Sequence, residues 1–531
     1  MNMQVARLPR ALYQAAQVRE LDRLAIEGCG IEGFTLMQRA AAAAFNGLIE
    51  RWPQTRHLLV FAGTGNNGGD GYVVAGLARD FGLNPEIIQV GDHSALRGDA
   101  WRARSFAEQR GVSITGFDRE SLLGSGSYPE DHTLIVDALL GTGLDRPLSG
   151  AYAEAVATIN DLPFPVLSID IPSGLCSDTG SVLGDAVQAS LTTTFIGMKQ
   201  GLLTAAGVDK TGALVYHDLE VPERVFHSEN SPAPASHRID MNLVARLLQP
   251  RQRSANKGTC GHTVILGGDY GFGGAALMAS AAALRAGSGL VSVITRSVNR
   301  CGFLARQPEV MMVGSEDPDE WQSRVNALLE RASVIVVGPG LGRGPWAREL
   351  LGLALRAQAG RETPLVVDAD GLNLLAEGME TDGEQISARD NWILTPHPGE
   401  AARLLGCGTA EINADRFAAV RRLHYRWGGA VLLKGAGSLL CVGALHDSLQ
   451  AHRIELCSEG NPGMASGGMG DVLSGLIGGL VAQGYSLDDS LRIAVCVHGE
   501  AADLAAAEAG QRGLVATDLL PFIQRLINPS S

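Results

Sequence analysis

A chain of 531 residues, 45% hydrophobic and 19% charged, can bury two or three cores of ordinary size and is not intrinsically disordered. Its net charge of −14 argues against a nucleic-acid binder, which needs a basic surface to displace counterions. The eight cysteines are scattered without a Cys-x-x-Cys pair, and the N-terminus lacks the unbroken apolar run of a secretory signal. They read as reduced thiols in a cytoplasmic protein, with neither zinc nor a disulfide framework. The longest apolar stretch, 273–294, is broken by glycines and Arg285 and reads as a core helix rather than a membrane span.

Residues 10–51 read as two helices, the second Ala-rich with apolar residues at helical spacing. "HLLVFAGTG" (57–65), "PEIIQV" (85–90), "TLIVDALLGTG" (133–143), "PVLSIDIPSG" (165–174) and "LTTTFIGMKQG" (191–201) follow, mostly apolar strands running into small and polar residues. Apolar strands alternating with helices imply a parallel sheet covered on both faces, with ligands beyond the C-terminal strand ends. The segment 226–238 is rich in Ser, Pro and Ala and reads as a linker. Beyond it the pattern restarts with "GHTVILGGDYGFGG", "ASVIVVGPGLG", "TPLVVDADGLNLL", "NWILTPHPGE" and "GAVLLKGAGSLLCVG". The reading is therefore α/β with two domains. Glycine, at 67 residues, is about twice its average usage of roughly 7% and clusters in these loops, which points to backbone brought close to ligands.

"GTGNNGGDG" (63–71) contains Gly63-x-Gly65-x-x-Gly68, the glycine spacing of a dinucleotide loop, a pattern that also arises by chance in Gly-rich chains. Asn66, Asn67 and Asp70 between those glycines are more telling, because they can grip hydroxyls or amides or donate oxygens to a cation. "VDALLGTGLDRPLSG" (136–150) adds Asp137, Gly141, Gly143, Asp145 and Arg146, and "SIDIPSGL" (168–175) adds Asp170 and Ser173. A single carboxylate after a strand is often only a turn former. Three such loops on adjacent strand ends weaken that alternative. Asn67, Asp137 and Ser173 offer hard oxygens, suited to an alkali or alkaline-earth cation rather than zinc.

"GNPGMASGGMGDVLSG" (460–475) strips side chains from a loop and then places Asp471 where a helix begins. Bare N–H groups at a helix N-terminus form an anion hole. A carboxylate beside a bound phosphate is costly unless it takes a proton from a hydroxyl attacking phosphorus. A plain N-cap role for Asp471 is the alternative, and the Gly-x-x-x-x-Gly-Lys pattern of a P-loop is missing. "VLLKGAGSLL" (431–440) is a second glycine loop able to lie against a nucleotide, and "TPHPGEAARLLG" (395–406) clamps His397 between prolines at a strand end.

These loops, in this order and over nearly the whole chain, resemble the bifunctional NAD(P)H-hydrate repair enzymes. The resemblance implies an N-terminal Rossmann-like αβα epimerase domain (1–228), a linker (229–238) and a C-terminal ribokinase-like, ADP-dependent dehydratase domain (239–531). The first would interconvert the R and S hydrates of NADH and NADPH with a potassium ion in its site. The second would return NAD(P)H, AMP and phosphate from the S hydrate and ADP, with magnesium. Carried across by motif, epimerase hydrate contacts fall on Asn66, Asn67, Gly68, Gly69 and Asp70, on Gly141, Thr142, Gly143, Leu144, Asp145, Arg146 and Pro147, and on Asp170. Potassium falls on Asn67, Asp137 and Ser173. Dehydratase hydrate contacts fall on Ala275, Gly340 or Gly342, His397 and Asp471. ADP contacts fall on Lys434, Gly435, Ala436, Gly437, Ser438 and Gly470. Asp471 is the candidate catalytic base of the second domain, and Asp170 is the candidate catalytic acid or base of the first. Lys199 matches a family lysine without an assigned role, and Met469 stands where the family loop more often has a small hydroxyl residue. The expected partners are small molecules and further copies of the chain, not nucleic acid or membrane. The rival reading is a ribokinase-like small-molecule kinase with a non-catalytic nucleotide-binding N-terminal module.

Overall fold

The computed structural model describes residues 8–124, 128–314, 318–378, 380–381, 384–443 and 453–528; residues 1–7 of the N-terminal segment lie outside this set. The chain divides between His237 and Arg238 into two compact units. The segment read as a linker is flanked by a helical turn, Arg224–His227, and runs into a strand, Ser236–Ile239.

In the first unit seven parallel strands stand in the order 113–116, 84–89, 57–62, 133–138, 166–169, 191–195, 213–217. The order reverses between His57–Ala62 and Thr133–Ala138, and such a switch point opens a crevice at the C-terminal strand ends. The central strands are buried on both faces, so they read as continuous apolar runs. The two edge strands, Ser113–Gly116 and Ala213–His217, were not among the sequence expectations; they are partly exposed and lack that run.

Glycines at the switch point do two different jobs. A Cβ at Gly63 would sit 1.9 Å from the Leu139 carbonyl oxygen, and one at Gly68 would sit 2.0 Å from that of Gly63. Both therefore allow backbone to pack on backbone. Gly65, the N-cap of helix Asn66–Asp80, has open space around it and is the glycine that leaves room for a ligand.

The second unit carries a mixed sheet in the order 453–457, 438–442, 430–433, 392–394, 365–367, 334–337, 262–266, 290–295, 311–314. It is parallel from 430–433 onward, while 438–442 runs antiparallel to both neighbours. The all-parallel expectation fails there because the turn Lys434–Gly437 is too short for a crossover, which takes a dozen residues or more.

Helices Gly273–Ala286 and Met469–Ala482 pack closely over this sheet. A Cβ at Gly475 would lie 2.0 Å from the Ala279 carbonyl oxygen, and one at Gly479 would lie 2.7 Å from that of Ala283. These helical glycines serve helix packing, not ligand approach. Gly475→Ala is expected to destabilise the second unit by about 1–3 kcal/mol through overpacking, seen as a lower unfolding temperature. An unchanged midpoint would refute this account of the contact.

Candidate active sites

Beyond the switch point of the first unit lies a cavity of about 540 Å³. Its wall includes Asn66, Asn67, Asp70, the loop Gly141–Arg146 and Asp170. Gly68, Gly69 and Pro147 are not in that wall; a Cβ at Gly69 would meet Met37 Cε at 2.6 Å.

Asp137 is fully buried beneath these loops. Its Oδ1 accepts from Ser173 Oγ (2.6 Å) and Leu139 N (3.3 Å), and its Oδ2 from Ser168 Oγ (2.8 Å) and Ser173 N (2.8 Å). Burial nevertheless raises its pKa above the ordinary carboxylate range, against the lowering effect of those bonds. A cation nearby would ease that cost. Asn67 offers it an oxygen: the side chain is 8% exposed, and neither amide atom has a hydrogen-bond partner. Buried amides are rarely left so, and an open Oδ1 fits a cation or a bound ligand.

Asp170 sits with φ +68°, a left-handed conformation that costs a non-glycine residue energy and is often found at active sites. Its Oδ1 accepts from Lys199 Nζ, and from Phe195 N and Thr194 Oγ1 at 3.3 Å each. Lys199 is 1% exposed and also donates to Thr194 Oγ1 and Phe195 O, both at 3.0 Å. This supplies the role the sequence left open: Lys199 is the buried counter-charge of Asp170.

Two of the other carboxylates lining the same cavity are strongly shifted. Burial first, and then Asp170 and Asp22, push Asp70 well above its ordinary range. Asp22, on helix Ala15–Arg23, is pushed up to about 6 by burial, with Lys199 opposing and Asp170 assisting. Sequence reasoning missed Asp22 because "RELDR" reads as a solvated helix face.

In the second unit the centre is Lys434, whose Nζ donates to Oδ1 of the buried Asp368 at 2.7 Å. Oδ2 of Asp368 accepts from Ser474 Oγ. The ammonium and the hydrogen bonds outweigh burial and hold Asp368 below its ordinary range. Gly470 lies against this pair, since a Cβ there would sit 3.2 Å from Lys434 Nζ. Asp368 also ends a strand, in "VVDADG", so the signal that singled out Asp137 and Asp170 could have found it.

Asp471 falls in the first turn of helix Met469–Ala482, whose N-cap is Gly468, at φ +92°. The capping alternative for Asp471 is therefore wrong. The first helical N–H bond is Val472 to Gly468 O at 3.0 Å, which leaves the preceding N–H groups as the open end of the helix. Burial and the charge of Asp368 push Asp471 up to about 7, against Lys434. Met469 is 6% exposed and packs into the core.

Glu400, also missed, is buried near Lys434 and pushed up to about 7, mainly by burial. It accepts from the His397 backbone N–H at 2.8 Å, and its Oε1 lies 3.3 Å from His397 Nε2. His397 Nδ1 accepts from Gly399 N at 3.0 Å, so the ring is neutral with its proton on Nε2. Ala275 and Gly340 are neighbours, since a Cβ on Gly340 would sit 3.0 Å from Ala275 Cβ. Gly342 N donates to Asp370 Oδ2 at 2.9 Å. Beneath the loop Lys434–Ser438, the buried Arg416 donates to the carbonyls of Leu433 and Lys434 (both 3.3 Å) and Gly437 (3.5 Å). Ser438 Oγ donates to Gly435 O at 3.0 Å, and Ala436 sits between two glycines with positive φ.

A family model described as YjeF-related protein N-terminus matches residues 33–201, and one described as NAD(P)H-hydrate dehydratase matches residues 263–525. The bifunctional NAD(P)H-hydrate repair enzyme of Coxiella burnetii is 44% identical over 98% of this chain and 99% of its own. The chain belongs to the bifunctional NAD(P)H-hydrate repair enzyme family. The Escherichia coli member is 40% identical over 98% of this chain and 95% of its own. An ADP/ATP-dependent NAD(P)H-hydrate dehydratase from Bacillus subtilis, crystallised with ATP and Mg²⁺, is similar over 54% of this chain and 97% of its own, at 24% identity and a TM-score of 0.45. Membership across the whole length leaves no place for the rival kinase with an idle N-terminal module. Each family match falls within one of the two units. Among the described residues no helix is long and apolar enough to cross a membrane.

Proposed function

We propose that residues 1–228 interconvert the R and S hydrates of NADH and NADPH, and that residues 239–531 return the S hydrate to NAD(P)H with ADP and magnesium. The observation that carries the second activity is Asp471 beside the open N-terminus of helix Met469–Ala482, with Lys434 and Gly470 adjacent. The helix N–H groups hold phosphate, and Asp471 takes the proton of the C6 hydroxyl as its oxygen attacks the β-phosphorus. AMP leaves with the electrons of the bond broken. Phosphate then departs with the C6–O pair, and loss of a C5 proton restores the C5–C6 double bond.

Hydrate contacts in the second unit fall on Ala275, Gly340, Gly342, His397 and Asp471. ADP lies along Lys434–Ser438 and Gly470, a loop whose carbonyls at Lys434 and Gly437 are held from behind by Arg416. The test is a mixture of both epimers with ADP, following NADH absorbance and AMP. Complete recovery is expected. Recovery of the S form alone would remove the epimerase, and no recovery at all would remove both activities.

Potassium in the first unit would be held by Asn67, Asp137 and Ser173, supplying positive charge beside a buried carboxylate. The support is the unpartnered Asn67 amide and, separately, the Asp137 carboxylate raised by burial. Asp137→Ala is expected to abolish potassium-dependent thermal stabilisation and to lower epimerisation, with dehydration of pure S hydrate untouched. Equal loss of both activities would make Asp137 a support of the fold.

A further inference from the structure

In the second unit, two thiols and a carboxylate meet outside the residues assigned to hydrate and ADP. Cys457 ends strand Arg453–Cys457, Glu459 follows just beyond it, and Cys496 stands on helix Leu487–Ala509. One ligand atom from each of the three lies within 4.8 Å of the other two. Cys457 Sγ donates to Glu459 Oε2 at 3.1 Å. Both thiols are buried, and the Glu459 side chain is 9% exposed. One helix face builds the cluster, because Cys496, Gly499 and Asp503 recur at helical spacing. A Cβ at Gly499 would sit 2.7 Å from the Glu459 carbonyl oxygen, so the missing side chain lets segment 457–461 lie directly on the helix. A turn further on, Asp503 accepts from Gly460 N and Asn461 Nδ2, both at 2.9 Å.

We propose that Cys457, Glu459 and Cys496 form a binding site for a zinc ion, which clasps the strand to the helix at the root of the phosphate loop 460–471. Two sulfurs and a carboxylate are a donor set for zinc, whereas magnesium and calcium take oxygen ligands. Zinc bonds of about 2.0–2.3 Å ask for ligand atoms at about this spacing. The charges also suit a cation. Two thiolates and a carboxylate outweigh the ion's own charge, and Arg238 adds positive charge beside them. Its Nη1 lies 3.8 Å from Glu459 Oε1, while its Nη2 donates to Asp240 Oδ2 at 3.0 Å. On binding, the ion takes the place of the two thiol protons, which leave to solvent. The lack of a Cys-x-x-Cys pair does not exclude this site, because Cys457 and Cys496 belong to elements that only the fold brings together.

The test uses the full chain, reduced and stripped of metal, with zinc or cadmium alone as the probe. About one equivalent of either ion should bind per chain, and cadmium should bring the ultraviolet absorption of a thiolate-bound ion. Cys457→Ser and Cys496→Ser should each weaken binding by at least about 100-fold, more than is typical for a residue that only supports a ligand. Glu459→Gln keeps the shape of the side chain and should weaken binding by about tenfold or more. Cys301→Ser, at an exposed thiol outside the cluster, should leave binding unchanged. Zinc should raise the unfolding temperature of wild type but not that of Cys496→Ser. Wild type that takes up neither ion overturns the proposal. So does uptake that the cysteine variants and Glu459→Gln leave unchanged, or a Cys457–Cys496 disulfide in place of the ion in protein isolated without reductant. If a cysteine variant does not fold, Glu459→Gln decides.

Discussion

Asp471→Asn is expected to lower the dehydration rate by about 10²–10⁴-fold, the usual contribution of a general base. The replacement keeps the shape of the side chain and removes its capacity to take a proton. Nothing else about the loop need change, since Gly468 and not Asp471 caps the helix. ADP should bind as well as before or better, because a negative charge beside its phosphates is gone. In wild type, Asp471 must be ionised to act, so dehydration should fall as pH drops below about 7; that dependence should disappear in the variant.

A second consequence separates lost chemistry from lost fold. A carboxyl raised in the folded state stabilises the fold when protonated, and that contribution is lost as pH rises through about 7. Asn has no such loss, so above about pH 7 the variant should unfold at or above the wild-type temperature. Dehydration within a few-fold of wild type would end the base assignment, and with it the reading of the glycine loop as a kinase-like phosphate site.

Lys199→Met is the counterpart in the first unit. Methionine keeps the length of the side chain but leaves Asp170 without the ammonium that bonds its Oδ1. Removing one partner of a buried ion pair costs about 3–5 kcal/mol, because the other charge stays buried and uncompensated. Lys199 is 1% exposed, and Asp170 is 17% exposed, so a figure near the lower end is expected. Epimerisation should drop by about 100-fold or more, since Asp170 loses the ammonium that holds its Oδ1 in place. Dehydration of pure S hydrate should continue. Thermal unfolding at neutral pH and an epimerisation assay check this, and an unaltered unfolding temperature would show that Lys199 is not the counter-charge.

Much of both sites is legible in the sequence, and for a definite reason. In a parallel sheet the strand ends converge on one edge, so a polar residue that ends an apolar run is placed by topology alone. Asp137, Asp170 and Ser173 stand out this way, and Asp471 stands out where a glycine loop enters a helix. The helical spacing of 33–51 and the strands at 57–62 and 133–138 need only local periodicity. Glycine is harder to read, because it records only that a side chain is missing. Gly65 leaves room for a ligand, whereas Gly63, Gly68, Gly475 and Gly479 are small because other backbone approaches them.

What only the tertiary structure decided is which charges meet. Lys434 reaches Asp368 across 66 positions, Ser474 reaches it across 106, and Lys199 reaches Asp170 across 29. No local pattern records such pairings, because they depend on how strands are ordered and not on what precedes or follows a residue. Asp22 is the clearest case. Its neighbours in sequence are those of a solvated helix, and its place in the cavity wall follows from the segments that the rest of the unit brings against it. The chain's local sequence determined the strands, the loops and the residue types at their ends. Burial and charge balance, which shift a carboxylate from solute to acid or base, were decided when distant segments closed around the same space.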